Sequence, residues 1–281
     1  MVATPIGNLA DITLRALHVL ALVDAIACED TRHTQALLRA YGIDKATAQL
    51  IAVHQHNEAQ ASQTIVQRLQ QGQRIAYASD AGTPAISDPG ARLVAAVRAA
   101  GLAVVPLPGA SSITAAVSVA GIVAGSLQDS GFVFAGFLPA KAAERDAAVQ
   151  RLASEPRSVV LLEAPHRIEA LARSLAVLGA RPVTVARELT KQFEEIATVS
   201  AVDLPHWLAS QPQRTRGEFV VVLHPAVVTQ DTGQDQRVLK LLLAELPLKT
   251  AVKLAADITG TARNVLYEAA LALKKNSFEG E

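Results

Sequence analysis

The sequence predicts an α/β fold of two α/β domains followed by a small helical module. Short apolar runs rich in β-branched residues alternate with longer segments of helical periodicity, a pattern typical of sheets covered by helices. At 281 residues, half of them hydrophobic, the chain is long enough to form two domain cores. Beyond the polar residues 226–236, apolar residues recur only at helical spacing.

Apolar runs mark the strands of the two predicted domains. In the first domain, residues 1–125, the predicted strands are Ala25–Cys28, Leu50–Val53, Ile75–Ala78 and Leu102–Val105. In the second domain, residues 126–225, they are Phe132–Phe134, Ser158–Leu162, Val183–Ala186 and Glu218–Leu223. Helices between strands favour parallel pairing, whereas the closer spacing of the last strands favours antiparallel pairing.

The segment Ala110–Leu127 is the longest weakly apolar stretch. Five Ser or Thr residues and two glycines interrupt it, so we predict a buried helix and no membrane span. The single cysteine, Cys28, cannot form an internal disulfide, and no apolar leader follows Met1. These features predict a cytoplasmic protein.

Residues 226–236 are predicted to be a linker, and residues 237–276 a basic helical module. Thr259-Gly260-Thr261 separates the last two helical patterns, as in a helix-turn-helix. From Arg237 to Lys275 there are seven Lys and Arg against three Asp and Glu, whereas the rest of the chain has 19 against 23. A polyanionic partner fits this asymmetry. A solvated helical surface, or a hairpin used for dimerisation or packing, is the alternative explanation.

A loop rich in glycine and proline, Ser79–Gly90, follows the predicted strand Ile75–Ala78 and precedes a helix. In open α/β sheets, ligands bind at the carboxyl ends of the strands. Glycine lets the backbone approach a ligand closely, and Asp80 and Asp88 provide acceptors for hydroxyl or amino groups. The loop therefore predicts a small-molecule site.

A cluster of polar residues, Glu29-Asp30-Thr31-Arg32-His33, follows the strand Ala25–Cys28 at the same sheet edge. Arg32 suits a phosphate group, and His33 can titrate near neutral pH. Asp30 or Thr31 has an alternative explanation as the cap of the following helix.

Other strand ends carry further motifs. Thr4–Leu9 forms a first strand-to-helix turn, and Pro108–Ser112 would let backbone amides at a helix N-terminus face a carboxylate. Glu163–Arg167 and Arg187–Lys191 follow two strands of the second domain, where surface ion pairs explain part of the charge equally well. The sequence lacks the dinucleotide fingerprint G-x-G-x-x-G and the P-loop, which argues against nicotinamide, flavin and nucleoside triphosphate ligands.

Several of these motifs together resemble the tetrapyrrole methylase superfamily of S-adenosylmethionine-dependent methyltransferases. They are Thr4–Leu9, Glu29–Arg32, Ser79–Gly90, Pro108–Ser111 and Gly136–Pro139. The motifs Glu163–Arg167 and Arg187–Lys191, with the helical tail, resemble its branch of small-subunit (16S) ribosomal RNA cytidine 2′-O-ribose methyltransferases. The resemblance implies two α/β domains with S-adenosylmethionine in the cleft between them, a homodimer and no metal.

The resemblance also implies site residues. The cofactor-binding residues would be Pro5, Gly7, Asn8, Asp80, Ala81, Gly82, Thr83, Ser111, Ser112, Glu163 and Arg187. The ligands of RNA phosphates would be Arg32, Arg167, Lys191, Lys249, Lys253 and Arg263.

The implied reaction is in-line methyl transfer from S-adenosylmethionine to the ribose 2′-hydroxyl of a decoding-centre cytidine, in 16S ribosomal RNA or the small subunit. A group must accept the hydroxyl proton or stabilise the developing alkoxide. The residues alone leave four candidates open for this role: Glu29, Asp30, His33 and Lys191.

Two other functions stay open as alternatives. One is a methyltransferase of the same fold that acts on a corrin or porphyrin precursor, against which the basic tail, Arg32 and His33 argue. The other is a non-catalytic RNA-binding or ribosome-assembly factor with a vestigial pocket. The intact loop Ser79–Gly90 argues against the loss of ligand binding.

Overall fold

The computed structural model of the chain describes residues 1–54, 56–123, 131–226 and 232–278, with side chains omitted at 232–236 and 274–278. By its internal contacts the chain divides into two units, Met1–Ala226 and Val227–Glu281. The first unit contains both sheets, each with its own strand order. The predicted domain boundary at residues 125 and 126 lies outside the described residues.

The first sheet is parallel and has the strand order β2-β1-β3 in the described part of the chain. Its strands are β1 (Ala25–Cys28), β2 (Leu50–Ala52) and β3 (Ile75–Ala78), and they confirm three of the predicted runs. The central strand β1 is buried along its whole length, as expected for a short continuous apolar run with helices on both faces.

The predicted strand Leu102–Val105 is wrong. This segment has no strand geometry; instead Val2 forms isolated bridges with Ala78 and Leu107. The N-terminal residues therefore insert beside β3: the Val2 N–H donates to the Tyr77 carbonyl, and the Leu107 N–H donates to the Met1 carbonyl, at 2.8 Å each.

The second sheet is mixed and has the order β4-β5-β8-β6-β7 within the described residues. Its strands are β4 (Phe132–Gly136), β5 (Ser158–Glu163), β6 (Pro182–Arg187), β7 (Glu195–Ser200) and β8 (Phe219–Leu223). Only β4 and β5 pair in parallel; the other pairs are antiparallel, as the spacing predicted. The edge strand β7 was not predicted from the sequence.

Helices cover both sheets of the first unit. They are α1 (Leu14–Leu22), α2 (Thr31–Ala40), α3 (Glu58–Gln70), α4 (Ala91–Ala99), α5 (Ser112–Val119), α6 (Ala142–Leu152), α7 (Ile168–Leu175) and α8 (Leu204–Ala209). The predicted buried helix Ala110–Leu127 is shorter and more exposed in the structure. It corresponds to α5, in which only Ile113 and Ala116 are buried; residues 120–123 are not helical, and residues 124–127 lie outside the described ranges. No helix among the described residues is long and apolar enough to cross a membrane.

The second unit is helical. Its helices are α9 (Thr232–Glu245), α10 (Leu248–Thr259) and α11 (Arg263–Phe278). Gly260 ends α10 with a left-handed backbone (φ 73°), which glycine adopts without strain. Leu239, Val252 and Leu266 form a small core between the three helices. The helical module is thus confirmed, but α9 begins inside the segment 226–236 that was predicted to be a linker.

Candidate active site

A cavity of about 340 Å³ in the first unit is lined by strand residues of the second sheet and by residues of the loop that follows β3 of the first sheet. It lies at the carboxyl ends of β5 and β6, where polar motifs follow the strands. The predicted site residues that line it are Ala81, Gly82, Thr83, Ser111, Ser112, Glu163 and Lys191. The apolar part of the wall includes Ile6, Leu162 and Val220.

The loop after β3 is fixed by hydrogen bonds to two other segments. Thr4 and Gly82 exchange both backbone hydrogen bonds at 3.0 Å, and the Thr83 hydroxyl donates to the Ala110 carbonyl at 3.0 Å. Gly82 has a left-handed backbone (φ 75°), and a Cβ there would lie 3.2 Å from a methyl of Ile6. Glycine is therefore required where the loop crosses the N-terminal segment.

Helix α5 begins at the cavity wall. Ser111 occupies its N-cap position with an extended backbone, but its side chain accepts no capping hydrogen bond. The first backbone N–H groups of a helix have no partner within the helix, and they carry the positive end of its dipole. This end of α5 is suited to a ligand carboxylate.

Glu163 ends β5 with a carboxylate that is almost fully buried (side chain 1% exposed). One oxygen, Oε1, accepts from the Ala164 backbone N–H at 2.9 Å and lies 3.1 Å from Arg167 Nε. The other, Oε2, is buried and has no hydrogen-bond partner. A buried charged acceptor is costly to leave unpaired. Because Glu163 lines the cavity, its carboxylate is a candidate acceptor for a ligand donor.

Lys191 projects from the turn after β6. Its ammonium donates to Glu188 and to Glu218, at 2.8 Å each. Burial lowers the pKa of Lys191, but these hydrogen bonds outweigh burial and the pKa is raised overall. Lys191 is therefore a cation at neutral pH, able to stabilise negative charge and unable to accept a proton.

Glu29 lies at the carboxyl end of β1 beside two other carboxylates. Burial raises the pKa of Glu29 to about 7, and the negative charges of Asp88 and Asp80 add to the rise. Its Oε1 is buried without a hydrogen-bond partner. Asp88, whose pKa is raised by burial and by Asp80, lines the cavity. No group of acidic, His or Cys side chains among the described residues is arranged to hold a metal ion.

The polar residues that follow Glu29 lie at the N-terminus of α2: Asp30, Arg32 and His33. Asp30 caps α2 by accepting from the Arg32 backbone N–H at 2.8 Å, as the capping alternative predicted. Hydrogen bonds from the Arg32 side chain and backbone lower the pKa of Asp30 to about 2. The Arg32 side chain is 90% exposed, and His33 is exposed on α2.

Five predicted cofactor residues do not line the cavity: Pro5, Gly7, Asn8, Asp80 and Arg187. Asp80 accepts from the Asp30 backbone N–H at 3.4 Å. Pro5 and Arg187 are buried, and Arg187 donates to the carbonyls of Phe193 and Arg216. Asn8 caps a short 3₁₀ helix. Gly7 lies against the Lys191 side chain. Their contacts shape the segments around the cavity.

The predicted RNA ligands fall into two groups. In the first unit, Arg167 is only 24% exposed and faces Glu163, and it also donates to the Leu138 carbonyl. In the second unit, Lys249, Lys253 and Arg263 line one shallow concave surface.

Some residues next to the ends of strands were not predicted from the sequence. His54 and His56, both exposed, follow β2 with ring centroids 6.0 Å apart, and Phe137 and Glu218 line the cavity. The rule that ligands bind at the carboxyl ends of strands would have pointed to the histidines. Glu218 precedes an antiparallel strand, so that rule could not find it.

Two family models match the chain. The model described as Tetrapyrrole (Corrin/Porphyrin) Methylases matches residues 1–205, and the model of the RsmI C-terminal HTH domain matches residues 229–274.

Curated relatives are similar along nearly the whole chain. A protein of Escherichia coli O157:H7 named ribosomal RNA small subunit methyltransferase I is 47% identical, over 96% of this chain and 93% of its own length. One of the same name from Pseudomonas aeruginosa is also 47% identical, over 96% of this chain and 95% of its own.

Solved structures share the fold at low identity. The cobalamin biosynthetic enzyme cobalt precorrin-4 methyltransferase has a TM-score of 0.57 at 16% identity, over 79% of this chain and 92% of that one. Uroporphyrin-III C-methyl transferase from Thermus thermophilus, complexed with S-adenyl homocysteine, has a TM-score of 0.51 at 17% identity, over 80% of this chain and 96% of that one. The two family models and the near full-length relatives agree, so this chain belongs to the tetrapyrrole methylase family, in the branch of proteins named ribosomal RNA small subunit methyltransferase I.

Proposed function

We propose that this protein transfers a methyl group from S-adenosylmethionine to the ribose 2′-hydroxyl of a decoding-centre cytidine in 16S ribosomal RNA. The observation that carries the cofactor half of the proposal is the unpartnered Oε2 of Glu163, buried in the wall of a cavity with an uncapped helix N-terminus. The substrate half is supported by the names of the relatives. The protein would encounter this substrate in the cytoplasm.

The residues of the cavity fit S-adenosylmethionine. Glu163 Oε2 would accept from an amino or hydroxyl donor of the cofactor, and the start of α5 at Ser112 would receive its carboxylate. Ile6, Leu162 and Val220 would pack against its apolar parts. When bound, S-adenosylmethionine supplies the electrophilic methyl group.

Glu29 is the group we propose as proton acceptor. A carboxylate with a pKa of about 7 is half ionised near neutral pH, and its buried Oε1 has no hydrogen-bond partner in the structure. Asp30 is a weaker base because its pKa is about 2. Lys191, a cation, would stabilise negative charge on the attacking oxygen.

The predicted cations of the first unit, Arg32, Arg167 and Lys191, would contact the RNA backbone. Arg32 is the most exposed of them, whereas Arg167 would need to exchange its contact with Glu163 for a phosphate. A homodimer is also expected from the family resemblance, and light scattering on the purified protein would measure it.

The test is incubation of the protein with methyl-labelled S-adenosylmethionine and either small ribosomal subunits lacking this modification or a pool of tetrapyrrole precursors. We expect label in 16S RNA, in a dinucleotide that resists alkaline cleavage because its 2′-oxygen is methylated. Label in the pigments alone would instead indicate a tetrapyrrole methyltransferase. Binding to subunits without label in either substrate would indicate a non-catalytic assembly factor.

A further inference from the structure

Two helices of the second unit form a shallow concave surface, which we call the α10–α11 surface. It is lined by Lys249 and Lys253 of α10 and by Arg263, Asn264 and Tyr267 of α11, and its volume is about 500 Å³. Lys249 and Lys253 are four residues apart, as are Arg263 and Tyr267, so each pair shares one face of its helix. The core contacts of Val252 and Leu266 hold the two helices together.

The charge of this surface is mainly positive. Lys249 and Lys253 are exposed and form no ion pair with any described residue. Arg263 pairs with Asp257 at 3.3 Å, but both side chains are more than half exposed, and such pairs are weak and easily exchanged. Glu268 is the one carboxylate among the described residues that line this surface. A partner with regularly spaced anionic groups complements this arrangement better than a protein surface of mixed charge.

An aromatic ring lies among these cations. Tyr267 is 40% exposed, although an aromatic residue in a small helical module gains most when it is buried. An exposed ring beside Lys and Arg side chains is the combination with which proteins bind unpaired nucleic acid: the ring stacks on a base, and the cations contact the phosphates. The Asn264 side chain adds a donor and an acceptor for a base edge.

We propose that the α10–α11 surface binds an unpaired stretch of the RNA substrate, with one base stacked on Tyr267 and the adjoining phosphates at Lys249, Lys253 and Arg263. This inference rests on the proposed function, which supplies RNA as the partner. A base within an A-form duplex is already stacked on its neighbours and is not available to the ring. The surface therefore selects looped or single-stranded RNA.

The test uses the full-length protein and fluorescein-labelled RNA of twelve nucleotides, either unstructured or annealed to its complement, with affinity measured by anisotropy. We expect Tyr267→Ala to weaken binding of the unstructured RNA roughly tenfold, the range found for loss of one base–aromatic stack. Tyr267→Phe keeps the ring and should retain the affinity within about twofold. Lys249→Ala with Lys253→Ala should also reduce the slope of log affinity against log salt by roughly 1.4.

The matched control is Lys240→Ala, because Lys240 is an exposed lysine of α9 outside this surface. Unchanged affinity in Tyr267→Ala, an equal loss in Lys240→Ala, or equal binding of duplex and unstructured RNA would overturn the inference. Circular dichroism of each variant separates loss of contact from loss of fold.

Methyl transfer by the unaltered protein distinguishes this inference from the proposed function. If 16S RNA is methylated but Tyr267→Ala binds RNA normally, the inference alone fails. If no methyl transfer occurs but RNA binding depends on Tyr267, the proposed activity fails and the binding surface stands.

Discussion

Gly7 lies directly against Lys191, so that a Cβ added at Gly7 would overlap Cγ of the lysine. The two residues belong to motifs 184 positions apart in sequence, one before the first sheet and one after β6 of the second. Lys191 in turn lines the cavity and donates to Glu188 and Glu218. Because residue 7 has no side chain, the Lys191 side chain can lie against it and reach the cavity.

We expect Gly7→Ala to lower kcat/KM for methyl transfer about tenfold or more, because it displaces Lys191 from its two carboxylate partners. Steady-state kinetics of Gly7→Ala, Lys191→Ala and the double variant form a mutant cycle. If Gly7 acts through the lysine, adding Gly7→Ala to Lys191→Ala should cost little more. Fully additive losses would contradict this explanation.

Glu29→Gln should lower kcat by about a hundredfold or more, because the amide cannot accept the hydroxyl proton. The affinity for S-adenosylmethionine, measured by calorimetry, should stay near that of the unaltered protein. The kcat of the unaltered protein should rise with pH and reach half its plateau near pH 7, since Glu29 must be ionised and its pKa is about 7. Asp30→Asn is the control, and a larger loss there than in Glu29→Gln would exclude Glu29 as the base.

The same carboxyl group should affect stability in a pH-dependent way. The pKa of Glu29 is raised from 4.5 to about 7 in the folded protein, so between these values the folded state holds a proton that the unfolded state has lost. The free energy of unfolding therefore falls as pH rises through this window. The variant Glu29→Gln cannot ionise at this position. The difference between its melting temperature and that of the unaltered protein should therefore increase from pH 5 to pH 8. A constant difference across that range would refute the assignment.

Glu163→Gln should weaken S-adenosylmethionine binding about tenfold or more, because the buried oxygen that lacks a partner loses its negative charge. Isothermal titration calorimetry measures the change. Glu169→Gln is the matched control, since Glu169 is an exposed glutamate on the adjacent helix α7. Arg167→Ala tests the other explanation: an equal loss in that variant would mean that Glu163 acts only by holding the arginine.

Glu58 contributes to stability and not to chemistry. Its buried carboxylate accepts from the backbone N–H groups of Gly90, Arg92 and Leu93, at 2.9, 3.2 and 3.4 Å, and so caps α4 from the neighbouring helix α3. We expect Glu58→Ala to lower the free energy of unfolding by about 2–3 kcal/mol, as for a buried charged hydrogen-bond acceptor. Urea denaturation would measure it, and Glu144→Ala, at an exposed ion pair of α6, should change stability by less than about 1 kcal/mol.

Strands were predictable where burial is continuous and a partner of similar length exists. The runs Ala25–Cys28 and Ile75–Ala78 satisfy both conditions and pair residue by residue. The run at 102–105 is apolar, yet its Val105 is 53% exposed, and it forms no strand ladder with any described residue. The edge strand β7 exists but was not predicted. Its alternation of apolar and polar residues is obscured because Ile196 faces outward and its polar residues are half-buried.

The candidate site was predictable in its location but not in its electrostatics. Motifs at strand ends pointed to the cavity because parallel strands end at a common edge. Which carboxylate stays protonated depends instead on distances between loops: Glu29 and Asp88 are 59 positions apart in sequence, yet the negative charge of Asp88 helps to raise the pKa of Glu29. Likewise, the pairing of Lys191 with Glu218 arises from antiparallel register that no local pattern encodes.

The loop between β3 and α4 is tied at three points, by Thr4 at Gly82, by Ala110 at Thr83 and by Glu58 at Gly90. These bonds are internal to the chain, so the loop acquires its shape when the protein folds. Ordering a free loop of this length would cost about 1–2 kcal/mol of conformational entropy for each residue fixed. A methyl donor meeting a preorganised loop does not bear that entropic penalty, and its affinity can depend on contacts alone.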